Sequence, residues 1–161
     1  MKGAILEKGL EWFTHLDEIL PAFENEQLKY NWLISFYECN NYLDDILPYE
    51  GPAYVWLSGK ELTDMVCSHK IQFIWGVLSA FQPDVTLEQV LEYELPWADG
   101  YGGFWHNPLT IQHPLAEIEL VPWDSSLILV IAKDDTLVQK FLLYFPLAED
   151  LASYNSKLPL R

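Results

Sequence analysis

Residues 117–132 read EIELVPWDSSLILVIA, and this stretch decides the fold. Two apolar runs flank Asp124-Ser125, a pair of turn-forming residues, so the spacing predicts a hairpin of strands Glu117–Trp123 and Ser126–Ala132. The second run, SLILVIA, has no polar face to offer water. Such a strand must be covered on both sides and belongs in the middle of a sheet. Working toward the N-terminus, HKIQFIWGVLSAF (residues 69–81) is apolar on both alternating sets and predicts another central strand. Phe73, Trp75 and Leu129 in these two strands are therefore expected in the core.

The remaining elements arrange themselves around this pair. Lys2–Glu7 is a short apolar strand. Trp12, Phe13, Leu16, Ile19, Leu20 and Phe23 share one face at helical spacing, with Pro21 near the end. From Leu28 to Glu38 the period becomes two, predicting a strand with Leu28, Tyr30, Trp32, Ile34 and Phe36 on one face. Residues Cys39–Pro52 read as a loop, and AYVWLS as a strand. Ser58 with Glu61, and Thr86 with Gln89, are capping boxes that start two helices; Leu62, Met65 and Val66 form the buried face of the first. A last helix begins near Asp135 or Thr136 and buries Leu137, Val138, Phe141, Leu142 and Phe145, with a further helical piece running to Tyr154. The order implies one α+β domain over residues 1–161: a mixed sheet of about six strands with three to four helices packed on it.

Composition limits the function classes. Half the residues are hydrophobic and 15% aromatic, which rejects disorder. No apolar run approaches the roughly 20 residues a membrane span needs, and MKGAILEKGLEW lacks the pattern of a signal peptide. A cytoplasmic protein is expected, with Cys39 and Cys67 as free thiols. Twenty-four acids against nine bases give a net charge of −15, and Ile71–Ala132 holds eight acids with no Lys or Arg. The only arginine is Arg161. A nucleic-acid binder needs cations to neutralise phosphates, so that class is disfavoured. The charge fits a basic protein partner drawn in by the field, and no membrane or nucleic acid.

No phosphate-binding or dinucleotide glycine pattern occurs, and no G-x-S-x-G elbow. His15, His69, His106 and His113 are scattered, so neither a metal nor a cofactor is expected. Asp99, His106, His113 and Asp124 are the residues best suited to acid–base work, since His titrates in the useful range and Asp can orient it. Nothing in their spacing brings them together, and the chain reads as a non-enzyme.

The most distinctive segment is LPWADGYGGFWHNP, Leu95–Pro108. Its aromatics either close over the core as a lid or stand out as a recognition surface. The partner-binding candidates are Trp97, Asp99, Tyr101, Trp105 and His106 here, with Asp44, Asp45 and Glu50 in the preceding acidic loop. The alternative function is a small-molecule or carbohydrate-binding domain, hydrolytic or not, centred on this segment.

KGAILE at the start, YNWLI, SGKEL, FIWGVLSAF and EIELVPWDSSLILVIAKDD together resemble an uncharacterised bacterial family, domain of unknown function 2691. The resemblance spans most of the chain except Cys39–Pro52 and the aromatic segment. It implies a shared fold and assigns no functional residue. In size and charge the chain is also similar to immunity proteins of bacterial toxin systems, small acidic domains that neutralise basic toxins. That likeness implies a toxin-neutralising role.

Overall fold

The computed structural model describes residues 1–159. Arg161, the only arginine, lies outside the described residues. The chain forms an α+β domain built on one seven-stranded sheet. The strands are β1 (Lys2–Leu6), β2 (Asn31–Cys39), β3 (Tyr54–Ser58), β4 (Phe73–Phe81), β5 (Ile118–Trp123), β6 (Leu127–Ala132) and β7 (Glu149–Asp150). Their order across the sheet is β3-β2-β4-β5-β6-β1-β7. Every pairing is antiparallel, where the element order had implied a mixed sheet. The reason lies in β1, which enters beside β6 rather than beside its sequence neighbour β2 and runs opposite to it. The seventh strand, β7, is two residues that no hydrophobic pattern could announce.

The hairpin forms as its sequence requires. Asp124 (φ 49°) and Ser125 (φ 54°) both take the left-handed region, and the Ser126 N–H donates to the Trp123 carbonyl at 3.0 Å. β4 and β6 are both central, each flanked by two strands.

Among the described residues five helices cover the sheet: α1 (Leu16–Ile19), α2 (Gly59–Ser68), α3 (Leu87–Val90), α4 (Asp135–Tyr144) and α5 (Leu151–Asn155). Both capping boxes are present, Ser58 with Glu61 and Thr86 with Gln89. The predicted first helix is shorter than its periodicity. Thr14 has a φ of 66°, which breaks the run before Leu16, and Pro21 converts the end into a 3-10 turn. Trp12 is consequently exposed.

One sheet face carries Leu6, Trp32, Ile34, Leu78, Leu120, Ile128 and Val130, packed against α1, α2 and α4. The other carries Ile5, Val77, Val121, Leu129 and Ile131, and is closed by Leu151 of α5, by Ala98 and Phe104 of the aromatic segment, and by Leu109 just after it. A smaller cluster of Leu33, Phe81 and Val90 continues it beneath α3. Thus one face is covered by helices, and the other largely by irregular chain.

Irregular chain over a core leaves its backbone N–H and C=O groups without a ladder, so side chains must supply the partners. Ser35, Glu119 and His113, all fully buried, do so. Ser35 Oγ donates to the Pro96 carbonyl at 2.6 Å. The Glu119 carboxylate accepts the Gln112 and His113 N–H groups, each at 3.0 Å. At the far end, Asn155 Nδ2 donates to the Phe104 carbonyl at 2.9 Å.

Candidate functional site

The alternation predicted for β2 holds through Trp32 and Ile34 and fails at Phe36. There the register against β4 shifts between Ser35 and Glu38, a β-bulge, and Phe36 takes a φ of 44°. A positive φ is costly for an aromatic residue, and bulges re-aim side chains next to binding sites. The result is visible in exposure: Phe36, read as inward-facing, stands 50% exposed.

Beside the bulge lies a solvent-open groove of about 730 Å³. Phe36, Tyr37 and Glu38 of β2 form one wall, and Pro48, Tyr49, Gly51, Pro52 and Ala53 form the rim. Trp75 of β4, Glu94, and Leu95, Trp97 and Asp99 of the aromatic segment form the opposite wall. Each wall is held in place. Tyr37 Oη donates to the Pro48 carbonyl at 2.7 Å, fastening the acidic loop to β2. Tyr49 meets Tyr42 edge-on at 5.0 Å, and Trp75 meets Trp123 in the same way at 5.0 Å. Trp97 is fixed from behind by Gln112, whose side chain bonds both the N–H and the carbonyl of Trp97.

The groove is one-signed. Glu38, Glu94 and Asp99 line it, and no lysine does. The lysines nearest in sequence, Lys29, Lys60, Lys70 and Lys133, are each paired with a carboxylate elsewhere. Among the described residues, no ion pair involves Glu38, Glu94, Asp99 or Glu50. Unpaired carboxylates among aromatic rings are chemically suited to a cation. A guanidinium or ammonium gains both ring-face attraction and charge-assisted hydrogen bonds there.

The residues singled out from sequence separate into three groups. Trp97 and Asp99 line the groove. Asp44, Asp45 and Glu50 are exposed on the loop that supplies its rim. Tyr101 and Trp105 instead pack onto the sheet with buried Phe104. Trp105 stands edge-on to Trp123 at 5.0 Å, and Tyr101 edge-on to Phe104 at 4.8 Å. The aromatic segment is therefore a lid along most of its length and a groove wall at its start. His106 is exposed at the end of the lid and does not line the groove. Glu38, Glu94, Phe36, Tyr37, Tyr49 and Trp75 were not legible as one site, because a bulge and a loop bring them together.

The four residues considered for acid–base work are not assembled. Asp99 borders the groove, Asp124 sits in the hairpin turn and His106 faces solvent. His113 is fully buried against Phe81, its Nε2–H donating to the Val90 carbonyl at 3.0 Å and its Nδ1 accepting the Leu115 N–H at 3.2 Å. Burial holds its pKa below the ordinary histidine value, so the ring is neutral and structural. Among the described residues no hydrogen bond joins any two of the four. No cluster of three or more His, Cys, Asp or Glu side chains suited to a metal ion occurs among them either. Cys39, buried, and Cys67, exposed on α2, are both free.

Fold and site together define a class: a single-sheet α+β domain displaying an open acidic and aromatic groove. No family model, no curated protein and no solved structure matches the chain. Among the described residues no helix is long and apolar enough to cross a membrane.

Proposed function

We propose that this chain is a non-enzymatic cytoplasmic protein-binding domain that captures a basic protein, in the manner of an immunity protein neutralising a basic bacterial toxin. The observation that carries the reading is the groove, with three carboxylates, five aromatic rings and no cation in its lining. A net charge of −15 adds long-range attraction for a basic partner. Protruding Arg or Lys side chains of that partner enter between Phe36, Tyr49, Trp75 and Trp97, while Glu38, Glu94 and Asp99 take their hydrogen bonds.

The test is calorimetric titration with a purified basic toxin as candidate partner, at low and at high salt. Binding that weakens steeply with salt is expected. A salt-independent affinity, or none, would remove the proposal. The second reading, a small-molecule or carbohydrate ligand, draws on the same aromatic walls. It is favoured if neutral oligosaccharides shift Trp75 and Trp97 fluorescence while the basic protein does not.

A further inference from the structure

Strand β3 ends the sheet and pairs with β2 alone. The Phe36 N–H donates to the Ala53 carbonyl at 2.8 Å, and the Gly59 N–H to the Tyr30 carbonyl at 2.9 Å. Backbone groups in an antiparallel ladder alternate in direction. Ala53, Val55, Leu57 and Gly59 therefore point their N–H and C=O groups toward β2, while Tyr54 and Trp56 point theirs away from the sheet. The next outward N–H, that of Ser58, is taken by the Glu61 carboxylate at 2.7 Å. Among the described residues, no further hydrogen bond uses the N–H or C=O groups of Tyr54 and Trp56.

A trough of about 620 Å³ runs along this edge. Its floor is Tyr54–Leu57, with Met65 of α2 on one side and Leu87 of α3 on the other. Folded proteins normally blunt a free edge with a charge, a proline or extreme shortness. The opposite edge obeys, because β7 is two residues long. β3 does not: YVWLS is five residues with no charge and no proline. The side chains of Tyr54 and Trp56 are anchored on the sheet, Trp56 against Phe81 at 5.6 Å, which fixes the edge in place.

We propose that the β3 edge takes an extended basic segment of a protein partner, which adds to the sheet as an eighth strand. The segment's backbone bonds the N–H and C=O groups of Tyr54 and Trp56, and alternate side chains lie over α2 and α3. Asp45, Glu61 and Asp64 border the trough; Asp64 is paired with Lys60 and Glu61 caps α2, so Asp45 and the net charge of −15 give the segment its sign. The same carboxylates argue against a second copy of this chain, which would bring its own acids to the pairing. The proposal rests on the basic-partner reading for the sign of the charge, and on the free edge for the extended conformation.

Hydrogen exchange of the Tyr54 and Trp56 amides, followed by NMR, tests it on the full chain. The probes are acetyl-Lys-Val-Lys-Val-Lys-amide, the same peptide N-methylated along one edge, and acetyl-Glu-Val-Glu-Val-Glu-amide. The basic peptide is expected to slow exchange at both amides by about tenfold or more at saturation. The methylated and acidic peptides should leave both amides unchanged. Equal protection by the acidic peptide overturns the proposal, as does protection that appears without peptide and rises with protein concentration. Absence of any β3 effect while Phe36, Trp75 and Trp97 resonances shift leaves the groove reading standing and removes this one. Shifts at neither place remove both.

Discussion

Gln112 and Trp97 are joined at two points: the Trp97 N–H donates to Gln112 Oε1 at 3.2 Å, and Gln112 Nε2 donates to the Trp97 carbonyl at 2.8 Å. Gln112 is itself held by Glu119, whose carboxylate accepts its N–H. A groove aromatic is thereby tied, through one side chain, to a fully buried carboxyl on β5. The chain of bonds joins the wall of the groove to the core of the sheet.

Burial pushes the Glu119 carboxyl up to about 7 from 4.5, against the lowering effect of its two N–H donors. Between these values the folded chain holds a proton that the unfolded chain has released, so stability falls as pH rises through the window. The full loss is about 3 kcal/mol. His113, held low by burial, acts oppositely: its contribution is lost as pH falls below 6.5. Glu119→Gln removes the first effect and keeps the second. Urea unfolding at about pH 5 and about pH 7.5 should show the advantage of the wild type over the variant shrinking at the higher pH. An advantage that stays constant would place the Glu119 titration outside this range.

Phe73 and Leu129 are fully buried on opposite faces of the sheet, and each truncation to Ala is expected to cost about 2–5 kcal/mol. Trp75, expected from sequence to belong with them, is only half-buried and lines the groove. Trp75→Ala should therefore cost less stability than either, while weakening binding of a basic partner. Denaturant midpoints for the three variants check the ranking. Equal losses would mean that Trp75 is a core residue after all.

The strands were readable where burial is continuous. SLILVIA and FIWGVLSAF announce central strands because nothing in them tolerates water, and Ser58 and Thr86 announce helix starts through a local hydrogen-bond pattern. Glu119 was hidden by the same logic. In EIELVPW it is one acid among apolar residues, and nothing local says that the lid covers its face. The signal available was its neighbours: with β4 and β6 apolar on both sides, the strand between them has no wet face. The groove was hidden for a different reason. Its walls come from segments some 40 residues apart, about Phe36–Ala53 and Glu94–Asp99, joined by a bulge whose positive φ at Phe36 no propensity encodes.

That bulge makes its own prediction. A non-glycine residue held at a φ of 44° stores on the order of 1–3 kcal/mol, and the half-exposed Phe36 ring recovers only part of it by packing. Phe36→Gly relieves the backbone and deletes a groove wall. Stability should stay within about 1 kcal/mol of wild type or rise, while affinity for the basic partner falls. A loss above about 3 kcal/mol in urea unfolding would show Phe36 to be a packing residue rather than a displayed one.

Association kinetics separate steering from anchoring. Asp44, Asp45 and Glu50 are exposed on the loop that forms the rim of the groove, so they act on the approach of a partner more than on the final contacts. Replacing them together with Asn, Asn and Gln should slow association and flatten its salt dependence, with a smaller change in dissociation. Trp97, inside the groove, should behave in the opposite sense: Trp97→Ala speeds dissociation at a cost of about 2 kcal/mol or more. The sequence offers Trp105, like Tyr101, as an aromatic anchor for a partner. Its packing against Trp123 and Tyr154 makes Trp105→Ala a stability variant instead, lowering the denaturant midpoint with little effect on dissociation from the remaining folded protein. Surface plasmon resonance against the basic partner at two salt concentrations reads all three. If the triple variant associates at the wild-type rate at both salts, steering by the acidic loop is refuted. If Trp105→Ala, and not Trp97→Ala, releases the partner faster, the binding surface lies over the lid and not in the groove.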